Sequence, residues 1–176
     1  MKTKIVLLLL VFLGWNCKQN SETKKPKVKD AKQEVQTVAK VSPVIKELAE
    51  FADLTLTDST NVNELILFKE IDTSGSVTEI EMAKAVLLYK KMMKKELVNS
   101  LPIFEIKNTK TAILPIQGVG FGGAIWAKVL VDRTTFEIKK IAFEHQAESE
   151  GYGNAINQSH FENQFVGTKI NLDQNT

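Results

Sequence analysis

Backbone chemistry is most exposed in this sequence at two short glycine clusters. Gly118-Val119-Gly120-Phe121-Gly122-Gly123 is the first, and Glu148-Ser149-Glu150-Gly151-Tyr152-Gly153-Asn154 is the second. Glycine reaches positive φ at no steric cost and lets the main chain come close to a ligand. Taken alone, each cluster reads more readily as a turn or a bulge than as a ligand site. The first cluster runs into Ala124–Val131, which reads as a strand. A dinucleotide-binding fingerprint opens a helix instead, so that ligand class is excluded. His145 and His160 stand apart, without metal-site spacing. No Ser/His/Asp or Cys/His arrangement is available, so no catalytic side chain and no metal ligand is assigned.

The elements that must position these clusters follow from periodicity. Ile103–Ile106, Ala112–Ile116, Ala124–Val131 and Glu137–Phe143 are β-branched or alternating runs bounded by turn residues. Asn108-Thr109-Lys110 and Asp132-Arg133-Thr134 fit hairpin turns, and such short links imply antiparallel pairing. Upstream the period is helical. Ser42 is the expected N-cap and Pro43 the first residue of a helix carrying Val44, Ile45, Leu48 and Phe51 on one face. Asp58–Asn61 breaks the chain, and Val62–Ile71 reads as a second helix or a short strand. Thr78–Val98 reads as a longer helix with an apolar stripe of Ile80, Ala83, Val86, Leu87, Met93 and Leu97. Thr78 and Glu81 form a capping-box pattern, and Lys90, Lys91, Lys94 and Lys95 suit its C-terminal end. The expected class is α+β: an antiparallel β-sheet in the C-terminal half, covered by helices from the N-terminal half.

Charge is unevenly distributed along the 176 residues. The net +2 is too small for a nucleic-acid binder. Residues 18–43 carry seven Lys against Glu22, Asp30 and Glu34, whereas residues 44–176 sum to −4. Ahead of the basic stretch, Lys2 and Lys4 precede nine apolar residues, Ile5–Leu13, too few for the ~20 of a spanning helix and right for a signal peptide. The only cysteine, Cys17, stands just after it, which resembles a bacterial lipoprotein signal. In that chemistry the Cys sulfur takes a diacylglycerol and the freed amine is acylated. Lys18–Ser42 has no aromatic residue and too little apolar surface to offset its ordering entropy. The organisation expected is a signal peptide over 1–16, a lipidated Cys and flexible tether over 17–42, and a folded domain over 43–176. The tether lysines serve solubility or meet anionic headgroups. The location implied is extracytoplasmic, anchored to a bacterial membrane.

Asp72-Thr73-Ser74-Gly75-Ser76-Val77-Thr78 is similar to the start of an EF-hand, but its counts disagree. That loop needs 12 residues from first Asp to last Glu with Gly sixth, and here Glu81 closes a span of ten with Gly75 fourth. A glycine turn before a capped helix is the expectation.

The C-terminal blocks, taken in order, carry a more specific likeness. Leu114–Trp126, Val129–Asp132, Ile138–Phe143, Glu148–Gly153 and Phe161–Lys169 together resemble the FMN-binding domain of the C and G subunits of sodium-pumping NADH:quinone oxidoreductase and the Rnf electron-transport complex. The likeness covers about seventy residues, from Ile103 to Leu172. It implies an electron-transfer flavoprotein in which the cofactor carries the redox chemistry. It implies a cofactor-binding set of Gly118, Gly120, Gly122, Gly123, Trp126, Glu148, Ser149, Gly151 and Gly153, with Glu148 accepting and Ser149 donating hydrogen bonds and Trp126 near the ring. Partners would be the membrane, through the lipid, and a redox protein complex. Ser149 and Glu150 replace the family's Thr and Pro. The family's Ser-Gly-Ala-Thr attachment motif has no match after Lys169, so the FMN expected here is noncovalent. Asp72–Thr78, read as lying before a helix, is the alternative place for such a motif. A relative without flavin, acting as a binding or assembly lipoprotein, is the alternative function.

Lipidation makes a direct prediction. Cys17→Ser should move the full-length protein from the detergent phase to the aqueous phase, with acyl mass on the N-terminal peptide in the wild type alone.

Overall fold

The computed structural model describes residues 41–171 apart from 95, 97 and 152. The signal segment, Cys17 and the tether up to residue 40 lie outside the described residues. Val41, two positions ahead of the expected domain start, is already buried against the core. Helix α1 (Pro43–Phe51) begins with Pro at its first position and buries Ile45, Leu48, Ala49 and Phe51, the expected face. Ser42 takes the N-cap place, but its side chain makes no capping bond.

The ambiguous segment Val62–Ile71 is both of its alternatives in succession. One helical turn, α2 (Val62–Leu65), leads into strand β1 (Ile66–Asp72). Strand β2 (Val77–Glu79) then pairs back on β1 through Lys69↔Glu79, Glu70↔Thr78 and Ile71↔Val77. This overturns the expected helix start at Thr78 and its capping box. Thr78 lies in a strand, and helix α3 (Met82–Met93) starts four residues later, with Glu81 at a cap place where its side chain makes no bond. Two β-branched residues, Val77 and Thr78, favour the pleated ladder over a first helical turn. The helix is also turned relative to the expected stripe. Ala85, Tyr89 and Met92 are its buried residues, Ala83 is exposed, and Leu87 is 53% exposed. The tyrosine decides this phase: its ring fills the core while its hydroxyl reaches out to Glu47 Oε1 at 3.2 Å. Burial, with the Glu47 carboxylate beside it, pushes that phenol well above its ordinary range.

The remaining strands stand where the runs were read: β3 (Ser100–Ile106), β4 (Thr111–Val119), β5 (Ala124–Asp132) and β6 (Ile138–His145). They join β1 and β2 in one antiparallel sheet of order β2-β1-β3-β4-β5-β6, two strands wider than the C-terminal half alone. Both expected turns form. Asn108 takes positive φ between β3 and β4, and Asp132 Oδ1 accepts the N–H groups of Thr134 and Thr135 after β5. α1 and α3 cover one face, where Ile45, Leu48, Phe68, Tyr89, Phe104, Ile113 and Leu130 form the main core. Phe104 sits edge-on to both Phe68 and Tyr89, at 5.9 and 6.2 Å between ring centroids. A smaller core lies elsewhere on the sheet: Ala127, Val129, Ile138 and Ile141, with Phe143 and Phe165.

After β6 the chain makes a 3-10 turn (Asn154–Asn157) and a one-turn helix, α4 (Ser159–Glu162). Phe161 and Phe165 meet Phe143 in a three-ring cluster with centroids 5.3–5.6 Å apart. Glu162 Oε1 accepts the Phe143 N–H (2.9 Å), and residues 167–170 bond the start of β6 through Ile138 and Phe136.

These placements separate two substitutions that look alike in sequence. Phe104→Ala should cost about 3–5 kcal/mol in denaturant unfolding, the usual loss for a buried aromatic. Leu87→Ala should stay within about 0.5 kcal/mol, as at other surface positions.

Candidate functional site

The β4–β5 ladder runs unbroken from Thr111↔Asp132 to Val119↔Ala124. It leaves Gly120–Gly123 as a four-residue tip closed by Gly120 N–H to Gly123 O at 2.7 Å. Gly123 holds φ +141°, a backbone state closed to most side chains. Gly118 is not in the tip: it stands within the ladder opposite Ile125. The second cluster follows β6 and is drawn to the first by Gln146 N–H bonding Ala124 O at 2.9 Å.

Glu148 joins the two clusters. Its Oε1 accepts the Gly122 N–H at 2.9 Å, and its own N–H donates to His145 Nδ1 at 3.1 Å. Three glycines pack around this one side chain and its neighbour. A Cβ on Gly120 would collide with Glu148 Oε1, one on Gly122 with the Ala147 carbonyl, and one on Gly153 would come within 2.9 Å of Glu148 Oε2. The space left by the missing side chains is therefore filled by the protein's own carboxylate and carbonyl. Ser149 is exposed at the surface of this loop, and its carbonyl receives the Asn154 N–H at 3.4 Å. Gly151 has open space around it.

Beside the clasped loops lies an apolar depression of about 130 Å³, bordered by Ile116, Gln117, Gly118, Ile125, Trp126, Ala127 and Phe143. Ile116, Gly118, Ile125 and Ala127 share one face of the sheet by strand alternation and pairing. The hollow suits one face of a flat ring system. Neither loop contains Lys or Arg, so no side chain there offers a cation to a phosphate.

Trp126 also borders a larger hollow of about 580 Å³ on the helix-covered face, with Val44, Glu47, Tyr89, Lys90, Met93, Lys94 and Glu144. Its indole N–H donates to Glu144 Oε2 at 3.1 Å. Lys128 continues the chain of charges, 2.5 Å from Glu47 and 3.9 Å from Glu144. The tryptophan is thus tied into a polar network under α1 and α3 as well as standing near the glycine loops.

The segment Asp72–Thr78 does not run straight into a helix, as the displaced-motif reading supposed: it ends within β2, and α3 begins only at Met82. The segment is the β1–β2 hairpin. Asp72 Oδ1 collects Ser74 N–H (2.8 Å), Ser74 hydroxyl (2.6 Å) and Ser76 N–H (3.0 Å), and these donors hold its carboxyl below the ordinary range. A short polar turn needs these local bonds to fold. Sequence reasoning missed Ile116, Ile125 and Phe143 as lining residues and missed the Phe143–Phe161–Phe165 cluster. The four-residue spacing of Phe161 and Phe165 was the available signal.

No family model matches the sequence, and no curated protein matches it. Among solved structures, the fold is similar to the C subunit of the Na(+)-translocating NADH-quinone reductase from Parabacteroides distasonis, with a TM-score of 0.52 and 26% identity over 72% of this chain. The match spans 64% of that protein's length. Shewanella oneidensis NqrC is similar at a TM-score of 0.50, with 18% identity over 73% of this chain and 72% of that one. The α+β architecture and the antiparallel sheet are those of these proteins.

The clasp predicts an ordering among glycine variants. Gly122→Ala must push apart two backbones and should cost about 1–3 kcal/mol, the range for overpacking. Gly151→Ala, with φ +79° but nothing nearby, should cost only the left-handed penalty of about 1–2 kcal/mol. Amide exchange across residues 120–123 and 146–150 should quicken in the first variant and not in the second.

Proposed function

We propose that this chain is a flavin-binding electron-transfer protein, held outside the cytoplasm on a bacterial membrane by lipid on Cys17. The observation that carries the reading is the apolar, glycine-edged depression at the foot of two clasped glycine loops. The fold shared with the quinone-reductase proteins supports a place in a redox assembly of that kind. No helix among the described residues is long and apolar enough to cross a membrane. Anchorage in this reading rests on Cys17 and the tether, with 43–176 as the flavin domain.

The cofactor is a flavin, FMN being the one the sequence likeness implies, bound noncovalently, and when present it supplies one- and two-electron chemistry at its ring. The chain's own residues position and shield. Ile116, Ile125, Ala127 and Phe143 exclude water from one side of the depression. Gly118 leaves its part of the depression free of a side chain, while Gly120, Gly122 and Gly153 let the two loops close on Glu148 and Ala147. Glu148 holds the loops in register, Ser149 offers a hydroxyl at the rim, and Trp126 links the rim to the polar network under the helices. No residue of the site is assigned as acid, base or nucleophile.

A second reading, a flavin-free binding or assembly lipoprotein, draws on one observation. Val119 and Phe121 at the hairpin tip are 89% and 95% exposed, an apolar pair suited to a protein partner.

Reconstitution with excess FMN separates the two. The expected result is visible flavin absorbance on the desalted protein, lost in Gly153→Val and released to the supernatant by acid. Flavin kept in the acid pellet would overturn noncovalent binding. A folded protein that takes up no flavin would favour the second reading.

A further inference from the structure

The Glu148 carboxylate fills the space against the first glycine loop. Backbone nests bind phosphates because their N–H groups converge on an empty, electropositive concavity. Here the Gly122 N–H is already donated to Glu148 Oε1 at 2.9 Å, and Gly120 and Gly153 pack against the same carboxylate. The Gly120 N–H is likewise taken, by Gly123 O at 2.7 Å. Glu150, exposed two residues on, adds a second negative charge, and neither loop has a positive one. The cations of the neighbouring strands are engaged elsewhere. Lys128 pairs with Glu47 and Glu144, Lys140 with Asp53 at 3.1 Å, and Lys139 with Glu137 at 2.7 Å. Lys128 and Lys140 also lie over the Phe51 ring of α1, at 5.7 and 5.3 Å from its centroid, under the helices.

From this arrangement we infer that Glu148 makes the site prefer an uncharged flavin, riboflavin, over its phosphate ester FMN. The inference rests on the flavin-binding reading and sharpens it. The ring and ribityl chain are common to both ligands, so the apolar depression treats them alike. They differ in a terminal group carrying about −1.5 to −2 charge at neutral pH. That charge meets a carboxylate where a phosphate site would present donors. For unit charges about 6 Å apart near a protein surface, the repulsion is on the order of a tenfold or greater penalty.

Fluorescence-quenching titrations of the full-length protein in detergent with riboflavin and with FMN test this. At about 0.01 M salt, riboflavin should bind at least about tenfold more tightly. The ratio should fall toward one at about 1 M salt, where the Debye length shrinks to about 3 Å. Glu148→Gln keeps an acceptor for Gly122 while removing the charge, and it should narrow the low-salt ratio several-fold by tightening FMN. Glu150→Gln, on an exposed side chain, should narrow it less and guards against a misfolded Glu148→Gln. FMN binding as tightly as riboflavin at low salt, or a ratio indifferent to salt and to both variants, would overturn the inference while leaving flavin binding intact. Binding of neither flavin would instead overturn the reading on which it rests, and the inference with it.

Discussion

The nine-pair ladder between β4 and β5 is the constraint on which the rest of this domain depends. Side chains on a strand alternate between faces, so one register decides every residue's surroundings at once. Ile113 opposite Leu130 places both under the helices, whereas Ala127 and Val129 face the other way into the second core. A slip by one residue would exchange these sets and leave both cores without their members. The same register fixes where pairing stops. Because the last pair is Val119 with Ala124, Gly120–Gly123 must close the hairpin, and the tip stands within reach of the loop that leaves β6.

Glycine serves a different purpose here from the one its clustering first suggests. A run of glycines invites the idea of a ligand lying against bare backbone. Instead, one carboxylate of the same chain lies there, and the glycines are small because Glu148 and Ala147 come so close. The open apolar surface lies to the side, on the strand residues. The result is a site whose shape is set by an internal hydrogen bond and whose charge is negative before anything binds.

Much of this was legible in the sequence, for local reasons. α1, the four C-terminal strands and their two turns all announce themselves through period and turn residues within a few positions. The middle of the chain did not, because its structure is settled at a distance. Ile66–Asp72 becomes a strand by pairing with Ser100–Ile106, across an intervening helix. Thr78 satisfies a local capping pattern yet lies opposite Glu70 in a ladder, and Tyr89 turns α3 by reaching Glu47, 42 residues away. In the site, the glycine loops were readable as bare backbone. The role of Glu148 was not, since its partner Gly122 is 26 residues distant and the bond exists only once both hairpins have formed.

The way the sheet ends at its two margins bears on how molecules of this protein behave in a crowd. An open margin is a row of unpaired N–H and C=O groups that a second sheet can extend, the first step toward aggregation. On one side the margin is β2, only three residues long and set on a tight turn. On the other it is β6, part of whose outward row is engaged: Ile138 with Thr168 and Gly167, and Phe143 with the Glu162 carboxylate. A second copy would meet three residues of strand at one margin and a partly covered strand at the other.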